Sequence, residues 1–188
     1  MLAVGLGNPG REYEGTRHNV GRDAVEVLAA RLGMALRAEK GTSARLAEGA
    51  VGERRLALAV PETYMNESGV AARALVRRCS IEELERLVVV HDELDLPVGV
   101  VRVKRGGGTA GHNGLRSLEA QLGSLGFARV RIGIGRPPGR MAGADFVLRR
   151  PSAAEAKELE VAVEVAADAV LAVLERGVDQ AMNEVNGR

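Results

Sequence analysis

Four apolar residues in a row, Leu87-Val88-Val89-Val90, run without a break into His91-Asp92-Glu93-Leu94-Asp95. A β-branched run without alternation makes a strand that is apolar on both faces. Such a strand is stable only where both faces are covered, at the centre of a parallel sheet flanked by helices. Its polar sequel then falls at the strand's carboxyl end, where open α/β sheets place their ligands.

The rest of the chain supplies the other layers. Met1–Leu6 is a second short apolar strand, and it runs into the turn signal Gly7-Asn8-Pro9-Gly10. Residues Arg22–Leu36 place Val25, Leu28, Ala29, Leu32 and Leu36 on one helical face. Ala44–Gly49 and Arg54–Val60 flank Val51-Gly52-Glu53 as a hairpin, and Ser68–Arg78 and Asn113–Leu122 read as helices. Val98–Lys104 and Arg129–Gly135 alternate as strands. Leu159, Val163, Ala166, Val170 and Leu174 form an amphipathic helix that Gly177 stops. The expected fold is α/β: a mixed, mostly parallel twisted sheet with helices on both faces. No repeat or linker divides the 188 residues, so residues 1–188 read as one domain.

Composition removes several classes. The single cysteine, Cys79, cannot form an internal disulfide, which fits a reducing, cytoplasmic setting. No apolar run is long enough to span a bilayer, and the N-terminus lacks a signal-peptide core. Two tyrosines, two phenylalanines and no tryptophan leave too little for the aromatic platform of an RNA-recognition sheet or an OB groove. The net charge of +1 hides an asymmetry. Ten basic residues (Arg102, Lys104, Arg105, Arg116, Arg129, Arg131, Arg136, Arg140, Arg149 and Arg150) face only Glu119 and Asp145 within residues 99–150. That imbalance suits a phosphate-binding surface, or else a solvated face in an arginine-rich chain.

Two glycine-rich loops follow strands. Gly5, Gly7 and Gly10 satisfy G-x-G-x-x-G, but Pro9 interrupts and Arg11–Asn19 offers no apolar helix face. The dinucleotide fingerprint needs a helix to open inside the motif, so a Rossmann cofactor site is not expected. The second loop, Gly106–Gly111, leads into the helix at Asn113 and carries no Walker lysine. With Lys104 and Arg105 before it, phosphate contact is the favoured reading.

Polar groups gather where strands or loops end: Asn8 to Asn19, Tyr64-Met65-Asn66, His91 to Asp95, and Gly106 to Asn113. The inventory is His18, His91 and His112, the carboxylates Asp92 and Asp95, and the amides Asn8, Asn66 and Asn113. Imidazole can take a proton from water near neutrality, a carboxylate on its other nitrogen fixes the tautomer, and amide donors can hold an oxyanion. The residues alone do not choose among the three histidines. They show no helical H-x-x-x-H pair and no G-x-S-x-G elbow, so neither a metal nor a covalent nucleophile is expected.

With those stretches in view, the chain resembles bacterial-type peptidyl-tRNA hydrolases. The resemblance lies in GLGNPG (Gly5–Gly10), TRHNVG (Thr16–Gly21), TYMN-x-SG (Thr63–Gly69), HDELDLP (His91–Pro97), GGG-x-x-GHNGL (Gly106–Leu115) and RIGIGRP (Arg131–Pro137). It implies hydrolysis of the ester between a peptide, or an N-blocked aminoacyl group, and the terminal ribose of tRNA. It also implies a monomer without cofactor or metal, bound to peptidyl-tRNA through a basic face, with neither DNA nor membrane as partner. By the same resemblance His18 is the general base and Asp92 orients it. Asn8, Tyr13, Tyr64, Asn66 and Asn113 bind substrate, and Lys104 and Arg131 meet tRNA phosphate. Two other readings stand beside it: a non-catalytic RNA-binding module and a dinucleotide-dependent enzyme.

Overall fold

A computed structural model describes residues 1–187; Arg188 lies outside the described residues. In chain order the described residues form β1 (Leu2–Gly5), α1 (Val20–Arg31), β2 (Arg37–Glu39), β3 (Ala44–Val51), β4 (Arg54–Pro61), α2 (Ser68–Arg78) and β5 (Leu87–Glu93). There follow β6 (Val101–Arg105), α3 (Asn113–Leu122), β7 (Ala128–Gly133), α4 (Gly143–Val147), α5 (Ala153–Arg176) and α6 (Val178–Asn186). The strands make one sheet in the order β2-β3-β4-β1-β5-β7-β6. Its centre, β4-β1-β5-β7, is parallel, while β2-β3, β3-β4 and β7-β6 pair antiparallel. The sheet is therefore mixed, with five of its seven described strands running one way.

The run in β5 does what its pattern requires. Val88 and Val90 join one core with α1, α5 and α6, through Val25, Leu28, Val163, Val170 and Ala181. Leu87 and Val89 join the other core with α2 and α3, through Leu75, Leu115 and Leu118. All four are fully buried, and each stabilises the fold by roughly 1.5–3 kcal/mol relative to exposure.

Several boundaries differ from the expectation. Helix α1 begins at Val20, because the 3-10 turn Arg17–Asn19 feeds it directly, and it ends at Arg31. Gly33, at φ +64°, turns the chain there, so Leu36 leads into β2 instead of extending the helix. Strand β6 begins at Val101, because Pro97 and Gly99 (φ +81°) form a turn closed by Val100 N–H to Pro97 O at 3.2 Å. Strand β7 spans Ala128–Gly133 rather than Arg129–Gly135, ending where the Pro97 turn crosses it. Helix α5 stops at Gly177 as expected, but α6 starts at once beyond it. The short elements β2, α4 and α6 had no expectation attached.

Two glycines let α1 lie close to the sheet. A Cβ on Gly5 would sit 2.4 Å from the Gly21 carbonyl oxygen, and one on Gly21 would sit 2.2 Å from the Val90 carbonyl oxygen. No larger residue fits either place, and this approach brings the turn before α1 over the end of β5. At the far edge of the sheet, Asn186 closes β6. Its Oδ1 accepts from Val103 N–H at 2.8 Å and its Nδ2 donates to Val103 O at 2.9 Å.

Candidate active site

His18 stands on the Arg17–Asn19 turn, which is fixed from both sides. Asn19 and Asn8 exchange hydrogen bonds, Asn8 N–H to Asn19 Oδ1 at 2.8 Å and Asn19 Nδ2 to Asn8 O at 3.0 Å. Arg17 is buried and donates to the carbonyls of Arg149 and Arg150 and to both oxygens of Glu155. The His18 imidazole is thereby held over Asp92, near the end of β5, with Nδ1 2.8 Å from Oδ1 and 3.0 Å from Oδ2.

A second imidazole reaches the same carboxylate. His112 Nε2 lies 2.9 Å from Asp92 Oδ1. His112 is also the N-cap of α3, where its Nδ1 accepts from the N–H groups of Gly114 (3.1 Å) and Leu115 (3.4 Å). Those backbone donors require a lone pair on Nδ1, so the proton of neutral His112 is on Nε2 and points at Asp92. Burial pushes the Asp92 carboxyl up, but His18 and His112 outweigh it and hold the group well below the usual carboxylate range. An ionised Asp92 accepts from both rings. The neutral form of His18 that fits this contact carries its proton on Nδ1 and a lone pair on Nε2, a nitrogen with no protein partner among the described residues.

Two clefts meet at this imidazole. One runs past His91, Leu94, Thr109 to Gly111 and Gly143; the other runs past Asn8, Tyr13, Tyr64, Met65 and Asn66. His18, Asn113, Ala144 and Val147 line both. In the second cleft Asn8 Oδ1 accepts from Met65 N–H at 2.7 Å, which fixes the amide and leaves its Nδ2 donors without a protein partner among the described residues. Tyr13 and Tyr64 meet edge to face with ring centres 6.3 Å apart, while Asn66 and Asn113 are exposed. Asn8, His18, Asp92, His112 and Asn113, scattered in sequence, thus share one place.

Among the described residues, the remaining candidates do not bond the Asp92 carboxylate. Asp95 is turned out to Arg136 at 2.8 Å. His91 is buried, with Nδ1 on the Asp92 main-chain oxygen at 2.7 Å and its ring 5.0 Å from that of His112. Burial, with His112 beside it, pushes the His91 imidazole down to about 3, so it stays neutral. Lys104 on edge strand β6 and Arg131 on its neighbour β7 share a sheet face with Arg102 and Arg129, through the pairs Arg102–Arg131 and Lys104–Arg129. Arg131 has Glu93 3.6 Å away. Sequence reasoning missed Ala144 and Val147, because α4 is too short to show a period. It also missed Arg17 as the tie between the His18 turn and the start of α5.

The sequence model of the family described as Peptidyl-tRNA hydrolase matches residues 2–188. The chain belongs to the peptidyl-tRNA hydrolase family. The peptidyl-tRNA hydrolase of Nocardia farcinica is 52% identical over 185 residues, covering 98% of this chain and 95% of that protein. That of Mycobacterium bovis is 48% identical over 186 residues, covering 99% and 97%. The crystal structure of peptidyl-tRNA hydrolase from Acinetobacter baumannii superposes with a TM-score of 0.92 at 38% identity, over 98% of this chain and 93% of that one. As a peptidyl-tRNA hydrolase the chain is an ester hydrolase whose substrate is peptidyl-tRNA, and the non-catalytic RNA-module reading falls away. The first glycine loop leads into a 3-10 turn, Arg11–Tyr13, and α1 opens only at Val20, so no helix end meets a dinucleotide there.

One ligand atom each from His18, Asp92 and His112 lies within 4.8 Å of the others, close enough to hold a metal ion. In the hydrolase each of the two rings is instead hydrogen-bonded to the Asp92 carboxylate. An ion would have to displace a proton from each ring that faces Asp92.

Proposed function

We propose that His18 is the general base of peptidyl-tRNA hydrolysis, removing a proton from water as that water attacks the ester carbonyl. The observation that carries this reading is the unshared Nε2 of His18 at the junction of two clefts, its tautomer set by Asp92 on the opposite nitrogen. Asp92 keeps the ring oriented and stabilises the imidazolium as it forms, with His112 steadying the carboxylate. General-base assistance contributes about 10²–10⁴-fold.

Asn8 and Asn113 are the amides beside the reacting carbonyl. The Nδ2 donors of Asn8 and a donor from Asn113 suit an oxyanion, worth roughly 10²–10³-fold for one such group. Asn66, Tyr13 and Tyr64 hold the peptide, whose side chains vary, through its main chain. Lys104 and Arg131 meet tRNA phosphate. Residues 1–188 act as one unit, a cytoplasmic monomer that needs no cofactor. Among the described residues no helix is long and apolar enough to cross a membrane.

Single-turnover cleavage of N-acetyl-aminoacyl-tRNA by the His18→Ala variant tests the assignment. Loss of at least 10²-fold with tRNA binding retained is expected. Turnover at the wild-type rate overturns it.

A further inference from the structure

Arg129 sits in the middle of the basic stretch, beside Lys104 and two residues before Arg131, yet it is only 2% exposed. Its guanidinium points away from solvent. Nη1 donates to Gly108 O at 2.7 Å and Nη2 donates to Gly107 O at 2.6 Å, while the group lies 5.3 Å from the centre of the Phe127 ring. Nε is buried without a partner. Among the described residues only two neutral carbonyls accept from it, which is an expensive arrangement for a buried cation.

Those carbonyls belong to the loop that carries His112 and Asn113. Gly106, Gly107, Ala110 and Gly111 all have positive φ, from +47° to +98°, in a segment with little conformational preference of its own. Its ends are tied by Gly106 N–H to Phe127 O at 3.0 Å and by His112 to Asp92. Between these ends the described side-chain bonds to the loop are the two from Arg129. His112 is four residues beyond Gly108, a span of at most about 14 Å of extended chain. Two adjacent carbonyls also match the planar fork of a guanidinium, whereas an ammonium has no fixed pair of donors.

We propose that Arg129 is a positioning residue for ester hydrolysis, clamping the Gly106–Gly111 loop so that His112 meets Asp92 and Asn113 faces the cleft, and that it is not a ligand of tRNA phosphate. This rests on the reading that His18, Asp92 and Asn113 perform the chemistry. A charge count alone gives Arg129 the same role as Lys104 and Arg131, and the geometry separates them.

The test compares Arg129→Lys, which keeps the charge, and Arg129→Gln with the wild type. Three readouts are taken: single-turnover kcat at saturating enzyme, the salt dependence of tRNA binding, and imidazole ¹⁵N NMR of His112. Both variants are expected to lose kcat by about 10²-fold, the cost of small misplacement in an active site. The His112 tautomer signature is expected to change, and the salt slope to stay at the wild-type value even in Arg129→Gln. Wild-type kcat in a folded variant overturns the proposal, and so does a slope reduced by about one unit in Arg129→Gln with kcat intact, the mark of a phosphate ligand. Should neither variant fold, the wild type still decides. Guanidinium protons of Arg129 that exchange freely with water, or that shift on adding an acceptor-stem RNA as a phosphate ligand's would, refute the clamp. His18→Ala run alongside separates the two readings: a fully active His18→Ala removes the assignment of the base, whereas an inactive one beside a fully active Arg129→Lys removes only the clamp.

Discussion

Replacing Asp92 with asparagine keeps the volume of the side chain and removes one acceptor. In the native site three short contacts converge on that carboxylate: His18 Nδ1 at 2.8 and 3.0 Å and His112 Nε2 at 2.9 Å. An amide offers a single oxygen. If that oxygen takes the Oδ1 position, both rings keep a partner there, but the new NH₂ faces His18 Nδ1 across 3.0 Å, donor against donor. The site relaxes when His18 moves its proton to Nε2, and that step consumes the lone pair that the proposed base catalysis needs. The charge that would stabilise the imidazolium is lost as well. An Asp-to-Asn change behind a catalytic histidine costs on the order of 10⁴-fold in kcat. The extra partner at His112 leaves the expected loss for Asp92→Asn at about 10³–10⁴-fold, or roughly 4–5.5 kcal/mol. The assay is single-turnover release of N-acetyl-amino acid from N-acetyl-aminoacyl-tRNA, with tRNA binding measured in parallel. A rate within tenfold of wild type would falsify the role given to Asp92.

Three further outcomes are expected. Lys104→Ala and Arg131→Ala should each weaken tRNA binding and lower its salt slope by about one unit; two unchanged slopes would remove both residues from the phosphate contacts. Asp23 on α1 has its carboxyl raised to about 7 by burial and by Glu26, only partly offset by Arg22. The folded state therefore holds a proton that the unfolded state releases, and stability drops as pH rises from about 4 to 7. Asp23→Asn should then stabilise the protein at pH 8, on the order of 1–3 kcal/mol by urea unfolding, with little gain at pH 4; equal shifts at both pH values refute this. Gly21→Ala puts a methyl group 2.2 Å from the Val90 carbonyl oxygen, so thermal unfolding should show a loss of about 1–3 kcal/mol or more, and activity should fall with it because α1 carries the His18 turn.

What could be read in advance follows from how locally each feature is determined. The two-sided run Leu87–Val90 dictates a covered central strand, and the polar residues at its end dictate where ligands come, because both depend on near neighbours in sequence. The meeting of His18, Asp92 and His112 depends on three distant segments closing on each other, so composition and spacing could supply the inventory but not choose the base. The resemblance to a known family made that choice. Edge strand β2 and helix α4 escaped notice because three to five residues carry no period. Arg129 was misleading for a different reason: charge is visible in a sequence, and the direction a guanidinium takes from a strand is not.

The amide of Asn186 stands in for a neighbouring strand at the open margin of β6, supplying one donor and one acceptor to Val103 across a separation of 83 residues. An uncovered strand margin is a template for recruiting foreign chains. During synthesis this margin is made long before its cover, so a ribosome-bound chain passes through a stage in which β6 is bare. The final turn of α6 thus acts as a late-made seal, and a protein cropped just ahead of residue 186 is expected to gain a surface that invites aggregation.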